Sequence, residues 1–192
     1  MDKVYRLLFV LVIGITYSNS YALAENDTLW KMLETDKNMI VLMRHAKTKA
    51  KSGNPLNWDK SGNCKNEKML SAEGKAYAKK LAEQFKKRKI RPIVISSPMC
   101  RTRDTAKLAF GKKYITDPAL REIASADENR RALFIDKSTE LLIKNKGKEP
   151  IVFISHRPNV EALSFELVSV TELVVGRIDE SGEIEVIGII KL

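Results

Sequence analysis

The stretch that decides the fold is IVLMRH, Ile40–His45, in which four apolar residues lead directly into an arginine and a histidine. A second stretch has the same form, because Ile151–His156 reads IVFISH. Short runs rich in Val and Ile are typical of strands buried on both faces of a sheet. His45 and His156 are the two histidines of the 192-residue chain, and each directly follows such a run. The pattern predicts a buried sheet in which two strands end at a histidine.

Apolar runs and amphipathic segments alternate along the rest of the chain. A helix is predicted after the N-cap residue Ser71 and before the cationic run Lys86–Lys89, because small and apolar residues recur between them at helical spacing. Strands are predicted at Met39–Met43, Ile93–Ile95, Ile151–Ile154, Leu173–Ile178 and Glu185–Ile190, and further helices at Thr28–Glu34, Arg101–Phe110, Asp127–Lys144 and Pro158–Leu167. This alternation predicts an α/β domain with a mostly parallel sheet.

The amino-terminal segment has the features of a cleaved secretory signal. Basic residues precede the apolar run Leu7–Ile15, and Ala22–Ala24 forms a small-x-small cleavage site. An anchoring helix is the weaker alternative, because a run of nine residues is short of the ~20 that cross a hydrocarbon core. We therefore expect a signal peptide at residues 1–24 and one domain at residues 25–192, periplasmic or secreted and without stable membrane insertion.

Composition places this domain among soluble, basic, folded chains. A hydrophobic fraction of 44% together with a charged fraction of 30% excludes a disordered tail, a collagen-like chain and a polytopic membrane protein. Cleavage after Ala24 would remove Asp2, Lys3 and Arg6, leaving 168 residues and lowering the formal charge from +10 to +9. Lys86–Lys89 is expected to be a solvated helix end, so no nucleic-acid partner is predicted. The sequence does not indicate the oligomeric state.

The cysteines and the longest irregular segment raise separate questions. Cys64 and Cys100 both follow the expected cleavage site, and an even pair in an oxidising compartment suggests a disulfide. Two free buried thiols remain the alternative, because bridging depends on geometry. Residues 47–68 lack a sustained period and hold six lysines against Asp59 and Glu67. This segment is either a solvated surface excursion or a basic flap over an anion-binding site.

Charged side chains are expected to meet at the carboxyl edge of the sheet, where open α/β sheets bind their ligands. The strand Ile93–Ile95 leads through a short turn to Arg101, so this edge can gather Arg44, His45, Arg101 and His156. Guanidinium groups form paired, charge-assisted hydrogen bonds with phosphate oxygens. The sequence therefore predicts a phosphate-binding site.

Two other kinds of site are less consistent with these residues. A zinc site built from the two cysteines and two histidines lacks the close C-x-x-C spacing of common structural sites, and it would place two arginines against a cation. A thiol phosphatase loop is missing its arginine, because five intervening residues after Cys100 lead to Ala106. The nucleophile is better sought among the histidines, and no metal or other cofactor is expected.

Four segments in order resemble the signatures of the histidine phosphatase superfamily, whose fold is that of cofactor-dependent phosphoglycerate mutase. RHAKT at Arg44–Thr48 resembles the R-H-G/A signature, and SSPMCRTRDTA at Ser96–Ala106 is similar to S-S-P-x-x-R-x-x-x-T-A. Leu120–Ile123 resembles the segment that carries the proton donor, and Ser155-His156 falls where the second histidine is expected. The resemblance implies a phosphoglycerate mutase-like three-layer sandwich with helices flanking the sheet.

The resemblance also implies roles for individual residues. His45 would be the nucleophile that forms a phosphohistidine, and Arg44, Arg101 and His156 would hold the phosphoryl oxygens. Glu122 would be the proton donor, with Asp127 and Glu128 as alternatives, and Thr48 would add one hydrogen bond to the phosphate. Ala46 and Ser155 replace glycines that are frequent in the family, and the first replacement requires a backbone that avoids positive φ.

The expected function is metal-independent hydrolysis of phosphomonoesters. The substrate is expected to be a small phosphoester, a phosphorylated envelope or periplasmic sugar, or a glycolipid phosphate. A phosphomutase-type transferase would use the same residues. A catalytically silent basic domain that binds anionic envelope glycolipid is the alternative from another class.

Overall fold

A six-stranded sheet forms the centre of the molecule in the computed structural model, which describes residues 26–192. The strands are β1 (Met39–Arg44), β2 (Ile93–Ser96), β3 (Ile115–Thr116), β4 (Ile151–Ser155), β5 (Glu172–Ile178) and β6 (Ile184–Lys191). They are arranged in the order β3-β2-β4-β1-β5-β6. β1, β2, β3 and β4 pair in parallel, whereas β5 is antiparallel to both β1 and β6. The prediction of a mostly parallel sheet is confirmed, and β3 is a strand that the sequence pattern did not indicate. The predicted signal peptide lies outside the described residues.

Helices cover both faces of this sheet. They are α1 (residues 26–35), α2 (Ala72–Lys87), α3 (Cys100–Phe110), α4 (Glu128–Asn145) and α5 (Arg157–Ser164), with a 3-10 turn at Pro118–Leu120. The predicted cap of α2 is present, since the backbone N–H of Gly74 donates to Ser71 Oγ at 3.0 Å. The predicted end of the last helix at Leu167 is wrong. α5 ends at Ser164 because Phe165 adopts a left-handed conformation, with φ of 59°.

The core consists of two apolar clusters, one on each face of the sheet. Alternate residues of β1 point to opposite sides, so that Met39, Val41 and Met43 pack with one cluster. Apolar residues of α1, α2 and α3 complete that cluster. Ile40 and Leu42 pack with the other cluster, which includes residues of α4 and α5. Because both faces are covered, the central strands β1, β2 and β4 are apolar up to their last residue. The result is the three-layer α/β sandwich that the resemblance implies.

No helix within residues 26–192 is both long enough and apolar enough to cross a bilayer.

Candidate active site

The pairing of β1 with β4 brings the two histidines together. Arg44 lies opposite Ser155 in the parallel register, so His45 and His156 leave the sheet side by side at its carboxyl edge. The backbone N–H of His45 donates to Ser155 O at 2.9 Å, which extends this pairing by one residue. The imidazole ring centroids are 5.5 Å apart. The two histidines that the sequence places at strand ends therefore lie in a single cluster.

His45 is held as a neutral imidazole with a defined tautomer. Its Nδ1 is 2.9 Å from the carbonyl oxygen of Ala46. Because a carbonyl only accepts hydrogen bonds, the ring proton is on Nδ1 and the lone pair is on Nε2. Burial, together with the positive charges of Arg101 and Arg44, lowers the pKa of His45 to about 3. An unprotonated Nε2 is the form that a nucleophile requires.

The backbone after His45 is fixed by a second contact. The N–H of Ala46 donates to Thr105 Oγ1 at 3.1 Å, which joins the two signature segments on β1 and α3. Among residues 26–192, Lys89 and Phe165 are the non-glycine residues with positive φ. Ala46 therefore occupies an ordinary backbone conformation, and its replacement of the frequent glycine causes no strain.

His156 is fully buried and is positioned by a serine. Its Nε2 lies 2.8 Å from Ser97 Oγ, which also accepts a hydrogen bond from the backbone N–H of Met99 at 3.4 Å. Burial, reinforced by Arg101, keeps the pKa of His156 well below its ordinary value. We assign the single ring proton to Nδ1, because the Ser97 hydroxyl can donate to Nε2 and Nδ1 faces the carboxylate of Glu122 at 4.0 Å. His156 is then a neutral N–H donor within the cluster.

Three buried nitrogen atoms of this cluster have no hydrogen-bond partner within the described part of the chain. They are Arg44 Nε, Arg101 Nη1 and His156 Nδ1. A buried donor without an acceptor costs roughly 1–3 kcal/mol, so such groups are rare unless a ligand satisfies them. Arg101 lies in the first turn of α3 with 2% of its surface exposed. Converging cationic and neutral N–H donors of this kind suit an oxyanion such as phosphate.

Glu122 is the carboxylate that joins this cluster. Its Oε2 pairs with Arg101 Nη2 and lies near His156. Burial raises the pKa of Glu122, while the charges of Arg101 and Arg44 act in the opposite direction. The alternative donors lie elsewhere: the Asp127 side chain caps α4, and Glu128 is exposed on the first turn of that helix.

Asn159 fixes the backbone on both sides of Glu122. Its Nδ2 donates to Arg121 O at 2.9 Å, and its Oδ1 accepts from the N–H of Ile123 at 3.2 Å. Asn159 is fully buried on α5, directly after the β4 strand end. The position of the carboxylate therefore depends on the same sheet edge that places His156.

Thr48 lies in the segment that follows β1 and forms an isolated β-bridge with Leu70. No hydrogen bond within residues 26–192 links its hydroxyl to Arg44, His45, Arg101 or His156. The predicted contribution of Thr48 to phosphate binding has no counterpart among these contacts, and its role stays a prediction.

The loop at residues 47–68 is fastened to the beginning of α3. Cys64 and Cys100 form a disulfide with their Cα atoms 5.8 Å apart, so neither sulfur is a thiolate able to bind zinc. The Glu67 carboxylate, 2% exposed, accepts a hydrogen bond from the backbone N–H of Cys100 at 2.7 Å. Arg101 Nη2 also donates to Pro55 O at 2.9 Å, so the loop touches the phosphate-binding cluster directly. It is therefore more than a solvated excursion.

Sequence reasoning did not single out Ser97, Glu67 or Asn159. Ser97 belongs to the quoted SSP segment, and its place directly after β2 was the signal available. Glu67 is one of two acidic residues beside the six lysines of residues 47–68, and nothing in the sequence around it indicates burial. Asn159 follows His156 by three residues, a spacing that puts it one helical turn into α5.

Comparison with known proteins agrees with this geometry. The family model of the histidine phosphatase superfamily (branch 1) matches residues 40–133, which include Arg44, His45, Arg101 and Glu122. No curated protein sequence matches the chain.

Solved structures share the fold at low sequence identity. The protein histidine phosphatase SixA, solved with tungstate, is 17% identical with a TM-score of 0.59, covering 80% of this chain and 96% of its own. A phosphoserine phosphatase from Entamoeba histolytica is 18% identical with a TM-score of 0.53, covering 79% and 95%. A mycobacterial glucosyl-3-phosphoglycerate phosphatase, solved with VO3, is 16% identical with a TM-score of 0.54, covering 78% and 97%. At these identities the likeness establishes the fold, and together with the family match it leads to one conclusion: the chain belongs to the histidine phosphatase superfamily.

Proposed function

We propose that the protein hydrolyses phosphate monoesters through a phosphohistidine formed on His45. The observation that carries this proposal is the set of three buried, unpartnered nitrogen donors, Arg44 Nε, Arg101 Nη1 and His156 Nδ1, gathered around a neutral imidazole. Donors of this kind match the nonbridging oxygens of a phosphoryl group, and the Nε2 lone pair supplies the nucleophile.

In the first step, His45 Nε2 attacks phosphorus and the bond to the ester oxygen breaks. Charge that develops on the phosphoryl oxygens is stabilised by Arg44 and Arg101 and by the N–H of His156. Glu122 donates its proton to the departing alkoxide, which leaves as an alcohol. The raised pKa of Glu122 suits this role, because more of the carboxyl group then carries a proton.

In the second step, water attacks the phosphohistidine. Glu122, now ionised, takes a proton from the water as its oxygen bonds to phosphorus. The bond between phosphorus and Nε2 breaks, and inorganic phosphate and neutral His45 are regenerated. Each proton that leaves Glu122 in the first step returns in the second, so the cycle balances without a metal or other cofactor.

Two structural neighbours were solved with oxyanions, SixA with tungstate and the mycobacterial phosphatase with VO3. Oxyanion binding by proteins of the same fold supports the proposal that this protein acts on a phosphoryl group. The disulfide and the predicted signal peptide support action outside the cytoplasm, on a small periplasmic phosphoester or a phosphorylated envelope sugar.

The test measures release of inorganic phosphate from 4-nitrophenyl phosphate by the wild type and by His45→Ala. We expect turnover that persists with a chelator, a loss of at least a thousandfold in the variant, and a trapped phosphoenzyme that is labile to acid and stable to alkali. Undiminished turnover in the variant would falsify the role of His45. Loss of turnover with the chelator would overturn the metal-independent mechanism. Salt-sensitive binding of anionic glycolipid without any turnover would favour the silent binder instead.

A further inference from the structure

A cavity opens beside the proposed acid, Glu122. It has a volume of about 190 Å³, and Glu122 forms part of its wall together with Trp58, Arg121 and Arg130. In the proposed mechanism Glu122 gives its proton to the ester oxygen, so the alcohol portion of the substrate must lie on the Glu122 side of the phosphate. The cavity is therefore where that portion would lie.

Two arginines with unsatisfied donors converge on this cavity. Neither Arg121 nor Arg130 has a carboxylate within 4.0 Å among residues 26–192, although eight ion pairs of Lys or Arg form elsewhere in this part of the chain. Arg121 Nε and Arg130 Nη1 are buried and have no hydrogen-bond partner. The two side chains also stay close, since Arg130 Nη2 donates to the backbone oxygen of Arg121 at 3.3 Å.

The neighbouring carboxylates Glu122 and Asp127 form no ion pair with either arginine. Glu122 is engaged with Arg101, and the Asp127 side chain accepts the backbone N–H of Arg130 as the cap of α4. Burial and the nearby charge of Arg121 lower the pKa of Arg130, and the charge of Asp127 opposes them only in part. An oxyanion placed against both guanidinium groups would relieve this repulsion and satisfy their donors.

An aromatic wall fixes the arrangement. The guanidinium carbon of Arg121 lies 4.6 Å from the ring centroid of Trp58, a cation–π contact that holds Arg121 at the cavity. Trp58 and Leu56 also give the cavity an apolar surface for the carbon atoms of a ligand. Both residues come from the loop at residues 47–68, which the disulfide fastens to α3.

We propose that this cavity binds a second anionic group of the substrate, so that the preferred substrates are phosphate monoesters whose alcohol portion carries a carboxylate or a further phosphate. This inference rests on the proposed function, because the cavity is placed relative to the ester by the role of Glu122.

The test compares three aryl esters that differ at one substituent. 4-Carboxyphenyl phosphate and 4-phosphonophenyl phosphate carry an anion, and 4-carbamoylphenyl phosphate is a neutral isostere of the first. We expect kcat/KM to be at least about tenfold higher for one or both anionic esters, as a charge-assisted hydrogen bond in a partly buried site allows. The larger preference identifies the anion.

Variants locate the preference in the cavity. Arg130→Gln is expected to lower the anionic-to-neutral ratio of kcat/KM to near unity. Arg131→Gln is the matched control, because it removes the same charge from the next position of α4, where the side chain is exposed. It should leave the ratio at the wild-type value.

The outcomes separate this inference from the proposed function. Hydrolysis of all three esters at equal kcat/KM by the wild type overturns the second-anion site and leaves the phosphatase proposal standing. An equal fall of the ratio in Arg130→Gln and Arg131→Gln also overturns it, because the preference would then reflect overall charge. Hydrolysis of none of the esters overturns the proposed function and this inference with it.

Discussion

The sheet edge and the loop at residues 47–68 form two sides of the site, and different interactions hold them in place. His45 and His156 are placed by backbone register between buried strands, with hydrogen bonds that continue the ladder of the sheet. The loop has no regular structure beyond isolated bridges, and it is held by a disulfide, one buried carboxylate and arginine side chains.

The difference indicates a division of labour between the two sides. Groups proposed for phosphoryl transfer lie where the backbone allows little movement, which suits chemistry that needs fixed geometry. Groups proposed to contact the alcohol portion of the substrate, such as Trp58, lie on the loop, which is held by side-chain contacts rather than by backbone pairing. Changes at the loop should therefore affect stability and substrate binding, and changes at the sheet edge should affect the chemical step and the response to pH.

The largest expected effect comes from removing the loop's covalent attachment. Cys64→Ser combined with Cys100→Ser opens a closure of 36 residues, and we expect the free energy of unfolding to fall by about 3–4 kcal/mol. KM for 4-nitrophenyl phosphate should rise more than kcat falls, because Pro55 and Trp58 lose their anchor while His45 does not. Urea denaturation and steady-state kinetics measure the two effects.

Glu67→Gln provides the comparison for this double variant. It keeps the disulfide and the side-chain oxygen but removes the charge that faces the N-terminus of α3, so its loss of stability should be smaller. If the cysteine variant unfolds at the same urea concentration as the wild type, the covalent link is not what holds the loop, and the contrast between the two sides loses its basis.

The next largest effect tests the sheet-edge side and is a dependence of stability on pH caused by His45. The pKa of His45 is about 3 in the folded protein and close to 6.5 when unfolded, so the unfolded chain binds more protons between these values. Stability from this group is full above pH 6.5 and is lost as the pH falls toward 3. Between pH 6 and pH 4 the loss should be about 2.5 kcal/mol.

His45→Asn isolates this contribution, because the carboxylates that also titrate in this range are common to both proteins. The difference in unfolding free energy between wild type and variant should change with pH by about 1.4 kcal/mol per unit. A pH-independent difference would mean that folding does not lower the pKa of His45, so that its imidazole would be protonated below about pH 6.5, contrary to the buried neutral form described above. Because the chain has two histidines, the same measurement on His156→Asn gives the contribution of the second one.

The sequence predicts the sheet-edge side of the site well and the loop side poorly. Buried strands have a compositional signature, and the rule that ligands lie at carboxyl ends of strands then places Arg44, His45, Arg101 and His156 in one cluster. The structure brings these four together with Glu122. The positions of the four depend on regular elements whose period is visible in the sequence, whereas Glu122 lies in irregular backbone after the 3-10 turn and was indicated by the family resemblance alone.

The loop contacts had no comparable signal. The burial of Glu67 results from a tertiary contact with Cys100, and the stacking of Trp58 on Arg121 joins segments far apart in the chain. Neither contact leaves a periodic pattern, because irregular backbone carries none. The same reason explains the short strand β3, which has two residues and pairs with β2 only through its position in the fold.

The smallest expected effect tests a residue that joins the sheet edge to the proposed acid. Asn159→Ala removes both hydrogen bonds that hold the backbone on either side of Glu122. We expect kcat for an alkyl phosphate to fall by about tenfold, because the acid is then less well placed to protonate the leaving alkoxide. The fall for 4-nitrophenyl phosphate should be smaller, since its leaving group needs little protonation.

Asn145→Ala supplies the matched control for this positioning role. Asn145 is also buried, and its Nδ2 donates to Leu141 O at 2.8 Å within α4. Both variants lose a buried amide and should lose comparable stability, but only Asn159→Ala should change the ratio of alkyl to nitrophenyl turnover. If both variants lower the two rates in the same proportion, Asn159 acts on stability alone. The Glu122 carboxylate would then be positioned by its ion pair with Arg101. The sheet edge would fix the positions of the histidines but not the position of the acid.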